Sequence, residues 1–139
     1  MAYKDDTEIL SKHGVKPTAN RLLVFAAMKK MGHAFSLNDM EEELLSMDKS
    51  TIFRTLVLFL EQHLIHSVED GSGSLKYCVC HNNGDCSPEE FHCHFYCEIC
   101  HQTFCLEGIH IPIVSVPKGY SVREANYLLK GICVECKEN

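Results

Sequence analysis

The sequence predicts an α+β protein of two small domains, helical in its first half and built of short strands around a metal site in its second. Three observations lead there. Apolar residues recur at helical spacing as far as Gln62, two alternating segments then flank Asp70-Gly71-Ser72-Gly73, and the pairs Cys97-x-x-Cys100 and Cys133-x-x-Cys136 follow beyond a polar stretch at 81–90.

The length, 139 residues, allows one ordinary domain or two small ones that share added stabilisation. Nine cysteines is an odd number, and MAYKDDTEIL is charged with no apolar core, so neither a secretory signal nor a complete disulfide framework is expected. A reducing cytoplasm fits this usage. No stretch approaches the ~18 apolar residues of a membrane span. The net charge of -6 does not mark a nucleic-acid binder, because phosphate contact leaves a basic surface, so charge has to be judged locally.

Asp5 to His13 reads as a short amphipathic helix carrying Ile9 and Leu10, stopped by Gly14. Thr18 is an N-cap for a helix through Met31, with Leu22, Leu23, Phe25, Ala26 and Met28 as its core face and Gly32 as its end. Ser36 with Asp39 three residues on forms a capping box with the shorter acid, opening a helix whose buried stripe is Leu37, Met40, Leu44 and Leu45. Glu41, Glu42 and Glu43 are its solvated face. A fourth helix, Ser50 to Gln62, places Ile52, Leu56, Phe59 and Leu60 on one side, while Lys49, Ser50, Thr51 and Arg54 crowd its first turns, where a recognition helix touches bases. Leu64 to Val68 and Ser74 to Val79 read as a hairpin about the Asp-Gly turn. Helices followed by a hairpin describe a winged helix-turn-helix, or else a generic helical domain with a hairpin.

Residues 81–90, rich in Asn, Gly, Asp, Ser and Pro, separate domains 1–82 and 83–139. In the second, Phe91 to Tyr96 and Gln102 to Leu106 read as strands flanking a cysteine knuckle, with two more at Tyr120 to Arg123 and Tyr127 to Ile132. Pro112 and Pro117 argue against a long helix between them. The stretch FHCHFYCEICHQTFC holds His92, Cys93, His94, Cys97, Cys100, His101 and Cys105. Thiolate and neutral imidazole are the ligands that zinc prefers, and a two-residue spacer lets both sulfurs of a pair face one ion. Cys97, Cys100, Cys133 and Cys136 therefore read as a four-cysteine structural Zn(2+) site with no open position. A catalytic zinc is disfavoured. The nucleobase deaminases combine H-x-E with P-C-x-x-C, whereas His94 stands third here, Tyr96 precedes Cys97, and the motif holds no general-base glutamate. A non-enzyme without a small organic substrate is expected, and a zinc module serving only protein contacts is the other non-catalytic reading.

Several motifs occur in one order: Gly14-Val15-Lys16-Pro17-Thr18-x-x-Arg21, His33-x-x-Ser36-x-x-Asp39, Ser50-Thr51-Ile52-Phe53-Arg54, His92-x-His94-x-x-Cys97-x-x-Cys100 and Gly131-x-Cys133-x-x-Cys136. Together they resemble the ferric uptake regulator (Fur) family of metal-dependent bacterial repressors over nearly the whole chain, and its zinc uptake regulator branch most. The resemblance implies a homodimer held by the C-terminal α/β dimerisation domain, each winged helix lying on half of a palindromic double-stranded DNA operator, with recognition helices roughly 34 Å apart or at a related spacing. It implies that Arg54 and Phe53 reach base edges from the motif opened by Ser50, that Thr51 and Arg21 address the backbone, and that Lys16 approaches the minor groove. Phe53 stands where the family has tyrosine; it can cover a thymine methyl but cannot donate a hydrogen bond. The resemblance also implies a regulatory site at the hinge made by His33, Cys78, His92, His94 and Cys105, with Cys80 an equal candidate for the place of Cys78. Two positions that are often acidic in the family are sulfur here, which favours zinc over the iron of iron-responsive and peroxide-sensing members. The positions matching a third family site are Phe91, Cys93 and Ala125, which cannot form it. His13, His63, His66, His81 and His110 show no partner pattern and read as surface or satisfied core histidines, and Cys86 as an unligated loop thiol.

Overall fold

Caps decide where the helices of the first half begin and end. The computed structural model describes residues 2–79, 93–106, 114–122 and 127–138. It divides into two units, Met1–Cys86 and Ser87–Asn139. In the first, α1 spans Ala2–Lys12, α2 Ala19–Met31, α3 Leu37–Glu43 and α4 Lys49–Glu61. Thr18 is extended and its hydroxyl accepts the Arg21 N–H at 3.4 Å, while Gly32 ends α2 at φ 68°, a left-handed conformation that glycine adopts without steric cost. The Ser36 hydroxyl accepts the Asp39 N–H at 3.1 Å and the Asp39 carboxylate accepts the Ser36 N–H at 2.9 Å, so the capping box forms with aspartate in place of glutamate.

The four helices close on one apolar cluster that includes Leu10, Val24, Phe25, Met28, Met40, Ile52, Leu56 and Phe59. Phe25 meets Phe59 edge to face, with centroids 6.1 Å apart. The buried side of α2 differs from the expected one. Val24 and Ala27 turn inward, whereas Leu23 is 54 % exposed and Ala26 is exposed. An unbroken apolar run from Leu22 to Met28 leaves periodicity unable to choose a face. Leu45 is 88 % exposed because α3 stops at Glu43 and the helical stripe ends with it.

Strands β1 (Ile65–Val68) and β2 (Lys76–Val79) form the hairpin, with His66 opposite Cys78 and Val68 opposite Lys76. At its tip the buried Asp70 carboxylate accepts the Ser72 N–H at 2.9 Å and pairs with Lys76 Nζ at 2.9 Å, so the charge is both paired and hydrogen-bonded. Tyr77 exchanges two backbone bonds with Phe35 at 2.7 and 2.9 Å, which fastens the hairpin to the turn between α2 and α3.

In the second unit β3 (Cys93–Cys97) pairs antiparallel with β4 (Thr103–Leu106) and parallel with β5 (Tyr127–Gly131), in the order β4-β3-β5. The strand expected from Tyr120 does not form at 120–122: Gly119 takes φ 97° and the Tyr120 N–H returns to the Pro117 carbonyl at 3.2 Å, making a turn. A five-residue helix, α5 (Val134–Glu138), has no counterpart in the expectations. Among the described residues of this unit the buried side chains are Cys93, His94, Cys97, Thr103 and Cys133, with no leucine, isoleucine, valine, phenylalanine or methionine. No helix among the described residues is long and apolar enough to cross a membrane.

Candidate metal centres and nucleic-acid surface

Cys97 closes β3 and opens the knuckle, with its N–H on the Gln102 carbonyl at 3.0 Å and its carbonyl accepting the His101 N–H at 2.9 Å. Gly131 lies beside it in register; a Cβ there would approach the Phe95 ring to 3.3 Å, so glycine permits the close passage of β5. The chain then delivers Cys133 and, one turn into α5, Cys136. The ligand atoms of Cys97, Cys100, Cys133 and Cys136 all lie within 4.8 Å of one another. Cys100 Sγ and Cys133 Sγ are 3.9 Å apart, and sulfurs about 2.3 Å from a tetrahedral zinc stand roughly 3.8 Å from each other. The spacing is that of ligands, not of a disulfide, and the four-cysteine cluster fits a zinc site.

The electrostatics prepare it. Burial pushes the Cys97 thiol up, yet the N–H groups of Cys100, Cys133 and Ile99 and the Cys100 side chain outweigh burial and bring it down to about 6. One of these contacts is the Cys133 N–H to Cys97 Sγ, at 3.4 Å. The Cys133 side chain, then desolvation, push Cys136 up to about 12. The Gln102 N–H lowers Cys100, but desolvation and the Cys97 and Cys133 side chains leave it raised. At neutral pH one thiolate is thus ready, and two thiols keep protons that a cation would displace.

Each unit also carries a histidine and a cysteine placed opposite each other on neighbouring strands. In the first unit these are His66 and Cys78, in the second His94 and Cys105, and within each pair the ligand atoms lie within 4.8 Å. Cys78 and His94 are buried, while His66 and Cys105 are half-buried. His66 is a residue that sequence reasoning passed over. Counting the hairpin register back from the Asp-Gly turn would have found it opposite Cys78. His33 sits in the turn after α2 with Nδ1 against the Ala34 carbonyl at 2.7 Å. Cys80, His92 and Cys86 lie outside the described residues, as do Phe91 and Ala125. Cys93 faces the sheet side away from His94, and burial, then the neighbouring Cys105, push its thiol up.

Between the start of α2 and α4 runs a cleft of about 280 Å³ lined chiefly by Thr18, Asn20, Arg21, Thr51, Arg54 and Thr55. Arg21 Nη1 donates to the Lys16 carbonyl at 3.0 Å and Arg54 Nε to the Ser50 carbonyl at 3.3 Å, so both guanidinium groups are oriented by backbone. Neither is paired with a carboxylate among the described residues. Lys16, Ser50 and Phe53 are exposed. In a chain of net charge -6, this is a local concentration of unpaired positive charge on a helix start.

A family model described as the Ferric uptake regulator family matches residues 12–136. The chain belongs to the ferric uptake regulator family. As a Fur-family protein it is a metal-responsive transcription regulator, and its four-cysteine cluster and winged first unit have their place in that architecture. No curated protein matches it in sequence. Among solved structures, a zinc uptake regulator complexed with zinc and DNA is 23 % identical with a TM-score of 0.69, covering 99 % of this chain and 93 % of that one. A holo XcZur gives 0.72 at 15 % identity, with 99 % and 98 % covered. The Vibrio cholerae ferric uptake regulator gives 0.62 at 14 % identity, with 91 % and 98 % covered. At such identities these neighbours establish that the Fur fold is shared.

Proposed function

We propose that this Fur-family regulator is a zinc-sensing repressor that binds a palindromic operator as a cytoplasmic homodimer when a regulatory zinc joins its two units. The observation that carries the reading is the pair of cross-strand half-sites, His66 with Cys78 and His94 with Cys105. Each offers one nitrogen and one sulfur, and two such halves make the four-ligand N₂S₂ set that suits zinc, without the carboxylates that suit iron or manganese. Zinc supplies a redox-inert cross-link there. His66 takes the ligand place expected of His33 because it opposes Cys78, and the same register favours Cys78 over Cys80. A bond network joining a wing strand to the second unit restricts how the two winged units can be spaced, so metal binding energy becomes coupling energy for DNA. That coupling is reciprocal, and operator must tighten zinc as much as zinc tightens operator.

The remaining ligands, Cys97, Cys100, Cys133 and Cys136, hold the structural ion. Among the described residues strand β5 lies at a sheet edge and exposes Tyr127 and Leu129, with Ile132 exposed just beyond it. An uncovered apolar edge strand invites pairing, and a second copy of this chain is the proposed cover. On DNA, Arg54 and Phe53 address base edges, Thr51 and Arg21 the backbone, Ser50 the turn that orients Arg54, and Lys16 the minor groove. A zinc uptake regulator of this fold was solved complexed with zinc and DNA, which supports the choice of both partners.

The test is a zinc titration of operator binding with tightly held zinc counted separately. His66→Ala and Cys105→Ser are expected to keep the four-cysteine zinc and lose the zinc-induced gain in affinity, while His33→Ala keeps the gain. A His66→Ala protein that responds like the parent removes His66 from the ligand set.

A further inference from the structure

His101 follows the second cysteine of the knuckle and has φ 62°, a left-handed conformation that costs a side-chain-bearing residue energy and that glycine adopts freely. It is exposed, so packing on a core does not impose this backbone. Two contacts do. Its N–H donates to the Cys97 carbonyl at 2.9 Å, and its Nδ1 lies 2.8 Å from the Tyr96 hydroxyl, with the two rings tilted and their centroids 6.0 Å apart. Tyr96 stands immediately before Cys97 and His101 immediately after Cys100. The side-chain bond therefore spans the knuckle from its two outer ends. Between them Cys100 is the exposed member of the four cysteines, the sulfur that a competing chelator meets first.

We infer that Tyr96 and His101 are positioning residues for the four-cysteine site: their bond holds His101 in the left-handed turn that keeps Cys100 beside Cys133, and so slows the loss of zinc. The inference rests on reading that cluster as a zinc site. Without the bond, His101 relaxes toward the extended or right-handed backbone that histidine prefers, and the turn that carries Cys100 opens. Glycine at 101 needs no such restraint, and that makes the idea separable from a simple packing role for Tyr96.

The experiment follows transfer of zinc from the full-length protein to excess chromogenic chelator, in a Cys105→Ser background so that the four-cysteine ion is the one observed. Tyr96→Phe keeps the ring and removes only the hydroxyl. It is expected to release zinc about fivefold faster, the rate equivalent of one ordinary hydrogen bond. His101→Gly should release at about the parental rate, and the double variant Tyr96→Phe/His101→Gly should match His101→Gly alone. Parental release from Tyr96→Phe overturns the inference, as does a double variant as fast as Tyr96→Phe. If instead Cys97→Ser retains its full zinc content, the four-cysteine reading fails, whatever the clamp does.

Discussion

Replacing Cys97 by serine should unfold the second unit and leave the first intact. Among its described residues that unit buries only Cys93, His94, Cys97, Thr103 and Cys133. Fully burying a large apolar side chain contributes about 1.5–3 kcal/mol, and three cysteines supply only a few kcal/mol between them. Among the described residues, buried side chains therefore contribute little to holding the three strands together. A structural zinc contributes about 10–16 kcal/mol, as much as the whole net stability of a typical domain, about 5–15 kcal/mol. The first unit owes nothing to that ion, because its core is the apolar cluster around Phe25, Ile52 and Phe59. Amide hydrogen exchange resolved by peptide, with zinc content measured on the same sample, reads the two units separately. In Cys97→Ser, protection should vanish in β3 and β5 and persist in α2 and α4. Zinc-free Cys97→Ser with parental protection in β3 and β5 would show that the metal is not the core of this unit.

Zinc affinity of the four-cysteine site should rise steeply with pH. Cys97, held down to about 6, is thiolate at pH 7, while Cys136, pushed up to about 12, and the raised Cys100 each yield a proton on binding. With the proton as competitor, affinity grows by at least about two log units per pH unit near pH 7, one for each of these two thiols, checked by competition with a chelator of known protonation; a flat profile would mean that the thiols were already ionised. Arg54→Ala should cost roughly 1–3 kcal/mol on operator and relax base preference, whereas Lys16→Ala should weaken operator and random duplex alike and flatten the salt dependence. Equal losses on both duplexes for both variants would erase that division of labour.

The helices of the first unit were legible because their punctuation is local: Thr18, Gly32 and the Ser36/Asp39 box act within one turn of themselves. The inward side of α2 was not, since Leu22 to Met28 is apolar all round and only the positions of its neighbours select Val24 over Leu23. The four cysteines could be read from spacing, as a two-residue gap is nearly a statement of geometry. His66 could not be read that way. Cys78 is twelve positions away across a hairpin, and the place of His66 opposite it depends on strand register, which a one-residue slip would change. The turn at Tyr120 replaced an expected strand because a glycine beyond a proline outweighed two β-prone side chains.

The parallel pairing of β3 with β5 also sets a timetable. During synthesis the described core of the first unit has its contacts once Val79 has emerged, because its helices and hairpin use neighbours close in sequence. The second unit cannot do this. Cys97 and Cys100 are made early but wait for Cys133 and Cys136, and β3 waits for the same late segment to supply its parallel neighbour. The first unit can therefore be finished while the second still lacks half of its ligands, and the four-cysteine site closes only after Cys133 and Cys136 are free to fold.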